Sequence, residues 1–235
     1  MSQNKSINYK SLGLIKYEEA LALQETYFKK TVDLKLRIRD DENLAHLQTE
    51  NYILSCQHPH VYTLGKSGKE SHLLISQNEL LAIKAEYFAT NRGGDITYHG
   101  PGQLVIYPIL DLDNFFTDIH KYLRFLEEAV IQTLAEFGIK AGRVDGLTGV
   151  WIGENSSNPR KICAMGVRAS RWVTMHGLAL NVNTDLNYFS NIIPCGISDK
   201  EVTSMQKELG YLVDIEKVEE IFLEKSSEIF GWNIV

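Results

Sequence analysis

No stretch of this 235-residue chain approaches the roughly 18 consecutive apolar residues of a membrane-spanning helix. The first ten residues, Met1 to Lys10, lack the apolar core of a secretory leader, so the cytoplasm is the expected compartment. Cysteine is scarce: Cys56, Cys163 and Cys195 are odd in number and too widely spaced for a disulfide framework. No Cys-x-x-Cys pair occurs, and the seven histidines show no His-Glu-x-x-His spacing, so no metal is expected. The thiols are left as candidates for chemistry. Positive charge is short as well. Lys and Arg number 24 against 30 Asp and Glu, a net charge of −6, which argues against the broad basic face of a nucleic-acid binder. Internal repeats and low-complexity segments are absent.

What is present is ordinary globular composition, 44% apolar and 23% charged, with enough chain for a sizeable core. Apolar periodicity predicts a first helix over 16–30. The segment 51–64 reads as a strand region broken at His58-Pro59, and 104–111 as a buried strand in which Pro108 suggests a bulge or an edge position. Residues 117–138 predict the clearest helix, capped by Thr117 and Gly138. Three strand-like runs follow, 148–152, 161–168 and 173–183, and a last helix over 214–230 with Asp214 as its cap. The polar turns are too short to be linkers. Residues 1–235 are therefore expected to form a single α+β domain, with a largely antiparallel or mixed sheet and packed helices.

Four stretches are rich in chemistry. In the first, Arg92, Gly93, Gly94, Asp95, Ile96, Thr97, Tyr98 and His99 lead into Gly100-Pro-Gly-Gln103. Glycines let backbone turn sharply and approach a ligand, Arg92 suits an anion or a planar group, and His99 suits a carbonyl or a proton relay. A glycine-rich hairpin with a core tyrosine and a hydrogen-bonded histidine explains the same residues. The pattern is neither a P-loop nor a dinucleotide fingerprint. In the second, Cys195 stands between Pro194 and Gly196, either as an accessible nucleophile or as a small buried side chain in a turn. In the third, Lys161 opens the apolar run Ile162-Cys163-Ala164-Met165-Gly166, either as a base facing a pocket or as an exposed strand end. Cys163 lies inside that run, where packing is its natural role. In the fourth, His176 precedes Gly177, Leu178 and Ala179 at the start of an apolar face, lining a pocket or bonding to backbone.

Taken together, Arg92–Leu104, Lys161-Ile-Cys-Ala-Met-Gly-Val, His176-Gly-Leu-Ala-Leu-Asn-Val, Pro194-Cys195-Gly196 and the earlier Gln57-His-Pro-His-Val-Tyr-Thr-Leu-Gly65 resemble the lipoyl(octanoyl) transferases in order and spacing over about residues 10–210. The resemblance implies the fold of the biotin and lipoate protein ligase catalytic domain. It implies transfer of an octanoyl group from acyl carrier protein to a lysine of the lipoyl domains of 2-oxoacid dehydrogenase and glycine cleavage proteins, by a monomer needing no cofactor. Position by position, it implies Cys195 as the acyl-thioester nucleophile and Lys161 as the residue lowering its pKa. Residues Arg92–His99, Ala164–Gly166 and Gly177–Ala179 would line the acyl site, and His176 would stand near the carbonyl end. Cys163 falls where the family often has alanine. Three alternatives remain open: an ATP-dependent lipoate ligase, an amidotransferase working through a cysteine, and a non-catalytic acyl-binding protein.

Overall fold

The computed structural model describes residues 4–193 and 201–235. Its centre is a seven-stranded sheet in the order β10-β1-β2-β6-β9-β8-β7. The strands are β1 (Ser6–Leu14), β2 (Asn51–Gln57), β6 (Gln103–Ile109), β7 (Val150–Ile152), β8 (Arg160–Ser170), β9 (Val173–Asn181) and β10 (Asn233–Ile234). A three-stranded sheet, β4-β3-β5, uses β3 (Val61–Leu64), β4 (Glu86–Ala89) and β5 (Thr97–His99). β1 pairs in parallel with β2 and β10, and β3 in parallel with β4, while the other pairings are antiparallel. The architecture is the α+β, mixed-sheet arrangement that the sequence predicts.

Helix α1 (Tyr17–Asp40) buries Tyr17, Ala20, Gln24, Phe28, Thr31 and Val32, a stripe at three- and four-residue steps. It runs ten residues beyond the predicted end at 30, because Leu, Lys and Arg continue a good helical sequence, and Arg37 and Arg39 favour its C-terminal dipole. Helix α3 (Ile119–Glu136) is capped by Asp118, not Thr117: the Asp118 carboxylate accepts the Lys121 N–H at 3.0 Å. Helix α5 (Ile215–Phe230) is capped by Asp214 as predicted. The short helices α2 (Gln77–Ala82) and α4 (Met205–Leu209) complete the set. Helices α3 and α5 cover one face of the main sheet, where Leu126, Val130, Leu134, Val218 and Phe222 meet Ile53, Leu104, Ile106 and Leu180. Helix α1 covers the other, against Leu54, Val105, Tyr107 and Ala179.

Two local features shape the site. The break at His58-Pro59-His60 moves the chain from one sheet to the other, since β2 belongs to the main sheet and β3 to the small one. Pro108 lies inside the sheet, opposite Ile53 of β2, and brings no N–H to the ladder. The β6–β9 ladder runs from Gln103 to Ile106 and stops. Beyond that point β9 stays paired with β8, and His176 adopts φ +59°, a conformation that costs a non-glycine residue about 1 kcal/mol or more.

Candidate active site

The α1-covered face of the main sheet and the small sheet enclose a cavity of about 820 Å³, open mouth included. Thirteen of the sequence-predicted side chains and backbone positions converge on it: Arg92, Gly94, Asp95, Ile96, Thr97, His99, Ala164, Met165, Gly166, His176, Gly177, Leu178 and Ala179. Lys161 stands in the same wall. Two predicted residues stand elsewhere. Gly93 borders a neighbouring cavity instead. Tyr98 faces the other side of β5, where its hydroxyl bonds His60 Nδ1 at 2.7 Å and its ring stacks on Tyr188 at 4.9 Å. Alternation explains this: on a strand, Tyr98 must point opposite to Thr97 and His99. Cys195 lies outside the described residues.

The glycines make room chiefly for backbone. A Cβ on Gly177 would stand 2.1 Å from the Ile106 carbonyl oxygen, and one on Gly166 would stand 2.7 Å from that of Gly93. Gly93 itself donates to the Val167 carbonyl at 2.9 Å, so the Arg92 loop is stitched onto β8. Gly94, at the cavity wall, is further fixed by φ +84°. Arg92 anchors the same loop. Buried, it donates to the Thr63 carbonyl at 2.6 Å, to Thr63 Oγ1 at 3.0 Å and to the Gly93 carbonyl at 3.0 Å.

Three histidines, His58, His99 and His176, are buried and neutral. His99 Nδ1 donates to Gln103 Oε1 at 2.8 Å; Gln103 Nε2 donates to Asn181 Oδ1 at 2.9 Å; Asn181 Nδ2 donates to the Thr203 carbonyl at 3.0 Å. Burial, with the nearby His58, Arg92 and His176 charges, pushes the His99 pKa down to about 3. Burial, with Arg92 and Arg168, takes His176 to about 3. His58, which donates to the Ile15 carbonyl and accepts from the Tyr107 hydroxyl, falls to about 4 through burial. At neutral pH none is an imidazolium, so each ring offers one N–H donor and one lone pair. His176 is held by its Nε2 contact to Asn91 Oδ1 at 2.9 Å and by its N–H bond to Gln24 Oε1 at 3.0 Å.

Lys161 is a second cation on the cavity wall, besides Arg92. Its N–H donates to the Glu201 carbonyl and its carbonyl accepts from the Thr203 N–H, both at 2.9 Å. Its ammonium lies 4.7 Å from the centre of the Trp151 ring. The chain on the other side of Cys195 is also tied to the cavity wall: the Ile193 N–H donates to the His72 carbonyl at 2.9 Å, and His72 Nδ1 contacts the cavity residue Asp95 at 2.7 Å. The described cysteines are unsuited to attack. Cys163 is fully buried in the α3–α5 core and Cys56 is buried beside His58, and loss of solvation pushes both thiols well above their ordinary range. Among the described residues no cluster of His, Cys, Asp and Glu is arranged to hold a metal ion.

Sequence reasoning missed Tyr17, Val105, Tyr107, Phe189 and Val202 of the wall, and the structural use of Gln103 and Asn181. The last two stand inside quoted motifs and could have been marked as buried amides. Tyr17 and Phe189 carry no local signal, because long-range packing brings them in.

The family model for the lipoyl protein ligase A/B catalytic domain matches residues 16–227. An octanoyltransferase of Cytophaga hutchinsonii is 58% identical over 98% of this chain and 95% of its own length. One of Flavobacterium johnsoniae is 59% identical over 99% of this chain and 100% of its own. Among solved structures, a bi-partite lipoate protein ligase of Thermoplasma acidophilum superposes with a TM-score of 0.69 at 16% identity, covering 100% of this chain and 86% of that one. A biotin protein ligase of Aquifex aeolicus gives 0.53 at 15% identity, over 95% and 70%. These two likenesses concern the fold. Sequence similarity along nearly the whole chain carries the assignment further: the chain belongs to the lipoyl protein ligase A/B catalytic domain family, among its octanoyltransferases.

Proposed function

We propose that this chain transfers an octanoyl group from an acyl carrier protein thioester to a lysine of a lipoyl domain, with Cys195 as nucleophile and Lys161 as its cationic partner. The observation that carries the reading is the cavity itself: a largely apolar slot that has Lys161 in its wall, in a chain whose relatives are octanoyltransferases. An octanoyl thioester has matching parts, an apolar tail and a polar carbonyl at one end. The lipoyl domains of 2-oxoacid dehydrogenase and glycine cleavage proteins are the acceptors, and no cofactor takes part.

The chemistry is two acyl transfers through one intermediate. A free thiol titrates near about 8.5, and a neighbouring ammonium favours its thiolate. The Cys195 thiolate attacks the thioester carbonyl, and the carrier sulfur leaves with a proton from Lys161. The products are octanoyl-Cys195, the carrier thiol and a neutral Lys161 amine. The acceptor lysine, as free amine, attacks next. Its proton passes to Lys161, the amide forms, and the Cys195 thiolate is restored beside an ammonium. The first step exchanges one thioester for another, and the second is downhill because an amide is more stable than a thioester.

Incubation with octanoyl-acyl carrier protein, without ATP and without acceptor, should add one octanoyl group, released by hydroxylamine and mapping to Cys195. An adduct on Cys163, or lipoyl-domain acylation that requires ATP, would overturn the reading.

A further inference from the structure

A second cavity, about 1070 Å³ with its mouth, adjoins the first and shares five of its lining residues: Gly94, Lys161, Met165, Gly166 and Val202. It runs from Lys161 past Trp151 to Leu123 of α3 and the loop Gly146–Thr148. A thioester carbonyl has two substituents pointing apart. With the tail in the first cavity and the carbonyl at Lys161, the sulfur and everything beyond it must leave through another opening, and the second cavity begins at the same residues.

The walls suit one kind of chain. Among the described lining residues, Lys161 is the one cation and Glu201 the one anion. Among those residues a run of phosphates would meet a single positive partner, whereas anions need several donors or cations. A neutral, thin chain with amide groups fits: Leu123, Leu147, Trp151 and Val167 offer apolar contact, and glycines leave peptide groups uncovered. The wall is also built in advance. The fully buried carboxylate of Glu127 accepts the Gly149 N–H at 3.0 Å and Arg143 Nε at 3.0 Å, and the Leu147 N–H closes onto the Val144 carbonyl at 3.0 Å. Such pre-organisation removes an ordering cost on binding.

We infer that the second cavity receives the pantetheine arm of the donor thioester, which enters with the octanoyl group and departs as the carrier thiol. The inference rests on the octanoyl-transfer reading. Its test compares two donors, S-octanoyl pantetheine and S-octanoyl ethanethiol, the second too short beyond sulfur to reach the cavity. Rates of acyl-enzyme formation are read by intact mass in the wild-type chain and in Leu147→Trp and Leu123→Trp, whose indoles would fill the space. The wild-type chain should prefer the pantetheine donor, and each variant should lower that preference by about tenfold, the scale of losing apolar contacts in a pocket. A ratio of two donors on one preparation is insensitive to the fraction folded. An unchanged ratio overturns the proposal. So does a loss confined to attack by the lipoyl-domain lysine on isolated acyl-enzyme, which would give the cavity to the acceptor instead. Acylation of the wild-type chain by neither donor overturns the octanoyl-transfer reading, and the proposal with it.

Discussion

The two faces of the main sheet differ in what they bury. Toward α3 and α5 the packing is chiefly hydrocarbon, with Ile53, Leu104, Ile106 and Leu180 against Leu126, Val130, Val218 and Phe222. Toward α1 and the small sheet, His58, His99, Gln103, His176 and Asn181 are buried among Val105, Tyr107 and Ala179. A buried polar group costs free energy unless it is bonded, and even a bonded one stabilises less than well-packed hydrocarbon. The polar face therefore forgoes stability that the other face takes. The difference teaches what each face is built for: one is filled for folding, and the other keeps polar groups and an open cavity beside Lys161.

That division can be broken by substitution. The largest effect belongs to Cys195→Ser, which should abolish the hydroxylamine-labile adduct and lower turnover on the order of 10⁴-fold, because a hydroxyl without a dedicated base is a weak nucleophile. A labile adduct that persists ends the assignment. Lys161→Ala should slow acyl-enzyme formation by about 10²-fold or more and move the alkylation profile of Cys195 to higher pH, with melting unchanged. An unmoved profile with normal turnover removes Lys161 from the mechanism. On the opposite face, Leu126→Ala should cost about 2–5 kcal/mol in urea unfolding, with normal turnover per folded molecule. Lost turnover at full occupancy of the folded state would blur the two faces into one.

Acid sharpens the same contrast. His58, His99 and His176 have folded pKa values of about 4, 3 and 3, below the ordinary 6.5. Below pH 6.5 the unfolded chain therefore binds protons that the folded chain refuses. Their stabilising contribution is complete above pH 6.5 and is lost as pH falls toward 4, at up to about 1.4 kcal/mol per unit for each histidine. His99→Gln should make the stability–pH slope between 6.5 and 4 shallower; equal slopes would place acid sensitivity elsewhere. The smallest effect is expected of Cys163→Ser. The octanoyl adduct should form as before, and the cost should be about 1 kcal/mol, from a hydroxyl in an apolar core.

Much of this was readable from residues near one another in the chain. The periodic leucines of 117–138, the cap at Asp214 and the apolar runs of β6, β8 and β9 were legible because helix and strand periods are local. Lys161, Gly166, His176 and Gly177 were legible as members of motifs. Asp118 displaced Thr117 as cap because a carboxylate at that position reaches the Lys121 N–H. Tyr98 left the predicted site because strand alternation turned it toward His60. The wall residues Tyr17 and Phe189 escaped notice, since nothing adjacent to them speaks of a pocket.

By itself, then, the sequence determined the three long helices and most strands of the main sheet, though not β1 or β10, together with the α+β class and the family, all carried by short-range pattern and motif. Tertiary structure alone decided that β2 and β3 part into different sheets, that the β6–β9 ladder stops at Ile106, and that His176 takes a positive φ. It also decided that three histidines are neutral, and that neighbouring backbone lies close against Gly166 and Gly177. The reason is one of distance along the chain. Desolvation, cross-strand approach and the meeting of two cavities at Lys161 depend on neighbours supplied from far-off segments, and no local period records them.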